Sequence, residues 1–285
     1  MLIANPLYDT AFKELIRDPE VARAIIETLT GNKVHKIKIR ETEHNKPQAD
    51  EDKRPKFFRM DYSVEIENER GELHSVLVEM QKASGAEHIL RFREYLAVAG
   101  YMPKKEESIV PVMTIYFLGF NLGNVKTPCL KVARNYVDML SNKVLDTKEK
   151  FVELLTHDSY IIQATRIKID GQPKSKLEKI LSIFEQRNFA DDKEETLTYD
   201  YGINEDYQRK MVDILHYIGT EPSERKKLDE EAYWKRFEDF NEGAVLKLTD
   251  ELARKNKDIA EKDLALQTQQ ARIAELEKLL NKEEK

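Results

Sequence analysis

The stretch that decides the fold is residues 57–82, which read FFRMDYSVEIENERGELHSVLVEMQK. Two runs of alternating apolar and polar residues flank a turn at residues 68–71, and this pattern predicts a β-hairpin. In the first run, one face carries Phe58, Met60, Tyr62, Val64 and Ile66, and the other carries Arg59, Asp61, Ser63 and Glu65. In the second run, one face carries His74, Val76, Val78 and Met80, and the other carries Leu77, Glu79 and Gln81.

The length of the turn fixes the pairing register, because opposed residues of an antiparallel pair point to the same face. A two-residue loop would place Asp61 opposite Val78 and mix charged with apolar residues on both faces. A three-residue loop over residues 69–71 puts Gly71 in the left-handed position that glycine tolerates. We therefore predict the three-residue loop, with Asp61 opposite Glu79.

Two carboxylates at opposed positions repel each other, so that one takes up a proton or both share a cation. Carboxylate oxygens favour hard divalent cations, and Mg²⁺ leaves coordination positions for water and for phosphate oxygens. The pair therefore indicates a Mg²⁺ or Mn²⁺ site formed by Asp61 and Glu79. Spacing alone also allows the alternative that both are solvent-facing residues of an amphipathic hairpin.

The rest of the chain alternates helical and strand-like patterns. Apolar spacing before the hairpin predicts two helices separated at Pro19 and ended at Gly31, followed by an edge strand with Val34, Ile37 and Ile39. After the hairpin we expect a helix over 86–101 and a buried strand over 109–118. Further predicted elements are a loop over 41–56, strands at 160–162 and 167–169, and helices over 174–220 with a break near 191–192.

Composition limits the function classes. The chain has 285 residues, of which 40% are hydrophobic and 35% charged, and its net charge is −6. This balance argues against a protein that coats nucleic acid by charge alone, although a local basic patch remains compatible with DNA binding. The lone Cys129 cannot form an internal disulfide, and the longest apolar run is too short for a bilayer. We expect a cytoplasmic protein without a membrane partner.

Several short motifs resemble one family. Met60-Asp61, then Gly71, then residues 78–81 (VEMQ) resemble the transposase-like branch of the PD-(D/E)XK nuclease superfamily, which includes the recombination-promoting nucleases. Residues 9–13 (DTAFK) match the Asp-x-x-Phe-Lys start of that branch, and residues 24–31 match the helix that follows. The resemblance covers residues 5–120 well and 130–220 loosely.

The resemblance implies an α/β fold: a central mixed sheet flanked by helices, as in restriction endonucleases. It also implies cleavage of DNA phosphodiesters, with Asp61 and Glu79 as metal ligands. Gln81 stands where the superfamily pattern has lysine, and glutamine is common there in this branch. Glutamine hydrogen-bonds water but brings no charge, so Lys13 is a candidate source of the missing cation. Asp9 is a candidate catalytic residue or, alternatively, a helix N-cap.

Arg91 and Arg93 resemble the arginines of the family's helix after the second motif. They are candidates for binding DNA phosphates. The alternative is that they cover the surface of a helix.

The C-terminal region has a different pattern from the rest of the chain. From Gly243 it is charged and lacks proline, and one apolar seam repeats every seven residues: Leu252, Ile259, Leu266, Ile273 and Leu280. The companion positions are mostly polar, so the helix either forms a weak coiled coil, as in a homodimer, or stays single and solvated. The predicted domains are a nuclease-like domain over 1–220, a helical connector over 221–243 and a heptad helix over 244–285.

Two functions follow as hypotheses. The first is a metal-dependent DNA endonuclease of the transposase-like family, linked to recombination or mobile elements. The second is a degenerate nuclease fold that binds DNA or a protein, because Gln81 replaces the lysine and the chain is acidic. The sequence does not separate DNA from RNA as the substrate.

Overall fold

A computed structural model describes residues 1–40, 59–67, 71, 73–83, 110–147, 149–155, 157–190 and 192–237, with separate positions between 248 and 270. The description is confined to the backbone for Arg40, Arg59, Met60, Asp61, Glu79, Ala83 and Lys150. The chain forms two compact units, Met1–Ala232 and Tyr233–Lys285. The boundary between them lies inside the segment predicted as a connector.

The first unit is an α/β structure built on a six-stranded mixed sheet, as predicted. In their order across the sheet, the strands are β2 (Lys33–Arg40), β3 (Arg59–Glu67), β4 (Leu73–Ala83), β5 (Val112–Leu118), β9 (His157–Gln163) and β6 (Cys129–Val132). The β2–β3–β4 part is antiparallel, β4–β5 and β5–β9 are parallel, and β6 returns antiparallel to β9.

The two helices at the N-terminus separate and end where the sequence predicts. Helix α1 (Asp9–Arg17) and helix α2 (Pro19–Thr30) separate at Pro19. The Asp18 carboxylate accepts hydrogen bonds from the first backbone N–H groups of α2, which have no partner within the helix. Gly31, with a φ of 75°, ends α2 in the left-handed conformation.

The remaining elements of this unit are short. Two small antiparallel sheets pair β1 (Leu2–Ala4) with β10 (Thr196–Thr198) and β7 (Tyr136–Asp138) with β8 (Lys143–Leu145). The helices are α3 (Lys150–Leu155), α4 (Lys176–Ile183) and α5 (Asp206–Thr220), with a 3-10 turn at Ala164–Arg166 and helical residues at 222–232. The sequence patterns predicted α4 and α5 but missed β1 and β10, whose pairing joins distant segments.

The strand predicted at residues 167–169 is wrong. Ile167 is buried and Ile169 partly buried, which explains the apolar pattern, but neither belongs to a strand. Side chains supply the hydrogen bonds that a neighbouring strand would have supplied. The Ile169 N–H donates to the Glu185 carboxylate at 3.4 Å, and its carbonyl accepts from the Arg187 guanidinium at 3.0 Å.

One face of the sheet, called here the helix face, packs against α1 and the other helices of the main core. Strand residues on this face are Tyr62, Val64, Val78, Met80, Ile115, Phe117 and Ile162, all buried. The Tyr62 hydroxyl donates to the Ile16 carbonyl of α1. The Phe12 and Phe117 rings meet edge to face with centroids 5.2 Å apart. Helix α1 therefore lies on the helix face.

The predicted hairpin register is confirmed. Asp61 pairs with Glu79, Ser63 with Leu77 and Arg59 with Gln81. Gly71 has a φ of 78°, the left-handed conformation assigned to it from the sequence. The other residues of the turn, 68–70 and 72, lie outside the described residues.

The edge strand β2 contains an irregularity that the sequence pattern reflects. Val34 pairs with Ile66 and Lys36 with Glu65, so His35 is an extra residue opposite β3. Such a bulge explains why inward-facing Val34 and Ile37 are separated by an odd number of positions. The His35 imidazole and the Glu67 carboxylate meet at 2.5 Å, and this hydrogen bond lowers the pKa of Glu67.

Some predicted elements lie outside the described residues. These are the loop over 41–56 and the helix over 86–101 with Arg91 and Arg93. Strand β5 confirms the buried strand predicted at 109–118, since every residue in it is buried.

The described positions of the second unit between 248 and 270 are helical, as are residues 233–237. Three residues of the predicted heptad seam fall among them, and all three are exposed: Leu252 by 60%, Ile259 by 55% and Leu266 by 54%. Ile273 and Leu280 lie outside the described residues. Among the residues that the structure describes, no helix has the length and apolarity needed to cross a bilayer.

Gly71→Ala should weaken the fold, because an L-residue in the left-handed conformation costs about 1–2 kcal/mol. Although open space surrounds most of the added methyl group, with the Glu67 carboxylate 3.8 Å away, the backbone strain remains. Urea unfolding should show a loss of about 1 kcal/mol. Gly123→Ala is the matched control, since Gly123 has open space and no positive φ. Equal stability of the two variants would contradict the assigned turn.

Candidate metal and nuclease site

The sheet extends the Asp61–Glu79 pair into a row of four polar residues across four neighbouring strands. Glu79 of β4 pairs with Thr114 of β5, and Thr114 pairs with Ser159 of β9. Paired positions in a sheet share a face, so all four lie on the face opposite the helix face. This set, Asp61, Glu79, Thr114 and Ser159, is called the polar row below.

The inner half of the polar row is buried and hydrogen-bonded. Thr114 is fully buried and Ser159 is 9% exposed. The Thr114 hydroxyl donates to the Ser159 hydroxyl at 2.8 Å. Sequence reasoning missed both residues, although Thr114 carried a signal, because it interrupts a run of apolar residues with a hydroxyl.

Apolar residues flank the polar row on both sides along the strands. Leu77 and Val112, one row before it, form a small buried cluster. Tyr116 and Leu118 form another beyond it, against which Ile161 packs. The row therefore divides the apolar surface of this face into two parts.

Gln81 lies on the same face as Glu79, two residues further along β4. Its side chain is 1% exposed. Its neighbours across the sheet are Arg59 on β3 and Tyr116 on β5. The structure thus brings Asp61, Glu79 and Gln81 to adjacent positions, as the sequence predicts.

The side-chain positions of Asp61 and Glu79 lie outside what the structure describes, so the case for a cation rests on their backbone placement. The β-carbons of directly opposed strand residues are about 4.5–5.5 Å apart, which is close enough for both carboxylates to bind one ion. The donor set of two carboxylates, with neighbouring hydroxyls, suits a hard divalent cation such as Mg²⁺ or Mn²⁺. Among the described side chains, no group of three or more His, Cys, Asp or Glu could hold a metal ion.

Asp9 lies on the other side of the sheet and forms an ion pair there. Its carboxylate is 2.5 Å from the Lys82 ammonium, which also donates to the Leu7 carbonyl at 2.7 Å. Lys82 follows Gln81 on β4, so its side chain belongs to the helix face. The structure does not bring Asp9 to the polar row.

The alternative role of Asp9 as an N-cap is wrong. The N-cap position of α1 is Tyr8, whose side chain makes no capping hydrogen bond. The Glu231 carboxylate instead accepts hydrogen bonds from the backbone N–H groups of Asp9 and Thr10. A capping group more than two hundred residues away in sequence leaves no local signal.

Lys13 is exposed on α1, the helix that packs against the helix face. The structure therefore does not place it beside Gln81. Arg91 and Arg93, the candidate phosphate-binding residues, lie outside the described residues.

His157 lies on the same face of the sheet as the polar row. It begins β9 two residues before Ser159 and pairs with Val112. Burial lowers the pKa of His157, and the neighbouring Arg134 lowers it further, while Asp158 acts in the opposite direction. The imidazole is therefore neutral at neutral pH.

Comparison with known proteins leaves the family undecided: no family model matches the chain, and neither the curated proteins nor the solved structures give a match.

Asp9→Asn tests whether the Asp9–Lys82 ion pair stabilises the fold. The Asp9 and Lys82 side chains are 25% and 12% exposed, so removing the carboxylate leaves a poorly solvated ammonium. We expect a loss of about 1–2 kcal/mol in urea unfolding, below the cost of breaking a fully buried pair. Glu14→Gln is the control, because the Glu14–Arg17 pair is exposed and such pairs contribute at most about 1 kcal/mol. A stable Asp9→Asn protein would show that the ion pair does not anchor α1.

Proposed function

We propose that this chain is a metal-dependent DNA endonuclease that hydrolyses phosphodiester bonds. The observation that carries the proposal is the pairing of Asp61 with Glu79 in adjacent strands. Strong carboxylate repulsion at such a site is relieved by a shared cation. The resemblance of the surrounding motifs to the transposase-like PD-(D/E)XK nucleases supports the same conclusion, and with it a restriction-endonuclease-like core and a role in recombination or in mobile elements.

Each residue of the site has a distinct proposed role. Asp61 and Glu79 would hold Mg²⁺ or Mn²⁺, which when bound lowers the pKa of water and stabilises charge developing on a phosphoryl group. The Gln81 amide would orient the attacking water by a hydrogen bond. DNA would approach from the β3 side of the sheet, where Ser63, on the same face as Asp61, is exposed.

A second candidate function is a catalytically inactive fold that binds DNA or a protein. The observation that favours it is Gln81, since a buried amide stands where the superfamily has a lysine. An amide cannot supply positive charge to the transition state. The inactive fold would bind DNA or its partner without any metal requirement.

A nicking assay on supercoiled plasmid, with Mg²⁺, Mn²⁺ or EDTA, separates the two functions. Asp61→Asn and Glu79→Gln should each reduce metal-dependent nicking by at least about 100-fold, the usual scale for losing an electrostatic catalytic group. Glu65→Gln is the matched control, because Glu65 lies on the same face of β3 as Asp61 but forms an ion pair with Lys36. Full activity in Asp61→Asn would end the proposal.

Cys129 supports a location in a reducing compartment. The residue is partly buried and has no disulfide partner, and burial raises the pKa of its thiol. Proteins without disulfides are typical of reducing compartments. A reducing compartment such as the cytoplasm is therefore our proposal for its location.

We also propose a homodimer through the C-terminal helix, since two sites would allow both strands of a duplex to be cut. The exposed heptad residues Leu252, Ile259 and Leu266 support this arrangement, because a seven-residue apolar repeat favours pairing of helices.

Sedimentation of the full chain over a range of concentrations tests the dimer. The triple variant Leu252→Ser, Ile259→Ser, Leu266→Ser should shift the protein to monomer. Each substitution removes the free energy gained by burying a large apolar side chain at the dimer interface, about 1.5–3 kcal/mol. The double variant Lys255→Ser, Lys262→Ser changes the mostly polar companion positions, and it should shift the monomer–dimer equilibrium less. A wild-type monomer at every concentration would contradict the dimer.

A further inference from the structure

We propose that the Lys38 ammonium and the Ser63 hydroxyl together bind a backbone phosphate of the DNA substrate, next to the position of Asp61. The inference rests on the proposed endonuclease function and names a contact that its substrate makes. Phosphate contacts of this kind fix the position of a protein on DNA without reading the base sequence.

Strand β2 lies at the edge of the described sheet and presents a basic surface on the face that carries the polar row. The bulge at His35 keeps Lys33 on this face, because uninterrupted alternation would turn positions 33 and 36 to opposite faces. The basic residues that share the face are Lys33, Lys36, Lys38 and Arg40. The other face of β2 packs against the main core through Val34, Ile37 and Ile39.

Three of these four basic residues lie opposite a carboxylic acid residue of β3. The opposed pairs are Lys33–Glu67, Lys36–Glu65 and Arg40–Asp61. The Lys36 ammonium is 3.4 Å from the Glu65 carboxylate. The pKa of Glu67 is lowered by its hydrogen bond with His35 and, more weakly, by the charge of Lys33. Opposite charges at paired positions stabilise a sheet, so these cations have a role within the fold.

Lys38 is the exception, because the residue opposite it is Ser63. Both residues are exposed. Among the side chains that the structure describes, neither the Lys38 ammonium nor the Ser63 hydroxyl has a hydrogen bond or an ion pair. An ammonium offers three donors and a hydroxyl one. Because the β-carbons of opposed strand residues are about 4.5–5.5 Å apart, both groups can contact the same phosphate.

The Lys38–Ser63 pair adjoins the proposed metal site along β3. Ser63 and Asp61 are two residues apart on the same face, and that separation is about 6.6–6.8 Å in a strand. Successive phosphates of one nucleic acid strand are separated by a similar distance. A phosphate bound by Lys38 and Ser63 would therefore neighbour the phosphate at the metal site and position it for hydrolysis.

The test measures binding of the full-length chain to a labelled DNA duplex by fluorescence anisotropy, over a range of salt concentrations and in EDTA so that no duplex is cut. Lys38→Gln should weaken binding by at least about 3-fold and reduce the slope of log affinity against log salt concentration by about 0.9, the value for one phosphate contact. Ser63→Ala should weaken binding without changing this slope, because it removes no charge. Two duplexes of unrelated sequence should give the same losses.

Lys36→Gln is the matched control. It removes the same charge from the same face of β2, but from a residue that is paired with Glu65. Its DNA affinity and salt dependence should stay near wild type, and Lys38→Arg, which keeps the charge, should retain the wild-type slope. A lysine on an edge strand also hinders pairing between the sheets of two molecules. If that were the whole role of Lys38, Lys38→Gln would aggregate more readily and bind DNA as wild type does.

Two results would overturn this inference alone, while metal-dependent nicking by the wild type would still support the proposed function. The first is wild-type affinity and salt dependence in Lys38→Gln. The second is an equal loss in Lys38→Gln and Lys36→Gln, because net charge would then explain the binding. A wild-type protein that neither binds nor nicks DNA would overturn the proposed function as well.

Discussion

The pairing register of β3 with β4 is the constraint on which the rest of the site depends. Side chains alternate between the two faces of a strand, so a slip of one residue would move Asp61 onto the helix face and expose the apolar set. The buried Tyr62, Val64 and Val78 oppose that slip. Gly71 fixes the same register from the turn, because its left-handed conformation accommodates the odd residue. Core packing and turn geometry thus favour one pairing.

Because β4 lies between β3 and β5 in the sheet, its register determines which residues of both neighbouring strands lie beside Glu79. An antiparallel neighbour brings Asp61 to Glu79 from one side, and a parallel neighbour brings Thr114 from the other. Because β9 continues the parallel arrangement, Ser159 joins the same row. A hairpin alone would display two carboxylates, whereas the full sheet places one of them beside buried hydroxyls.

The helix face of the sheet carries the ion pair of Asp9, a charged residue near the start of the chain. Helix α1 is held by the Tyr62–Ile16 hydrogen bond, the Asp9–Lys82 ion pair and the Glu231 cap. These contacts come from three distant parts of the first unit. The Asp9 carboxylate, a candidate catalytic group in the sequence, therefore helps to attach helix α1 to the sheet through its ion pair with Lys82.

The sequence by itself determined the local elements: the hairpin and its register, the split at Pro19, the stop at Gly31 and the buried strand β5. These depend on side-chain period, proline and glycine geometry, all of which act over a few residues. Tertiary structure decided the rest. The partner of Asp9, the β1–β10 pair and the alignment of Thr114 with Glu79 join segments far apart in the chain, and no local pattern specifies which strands become neighbours.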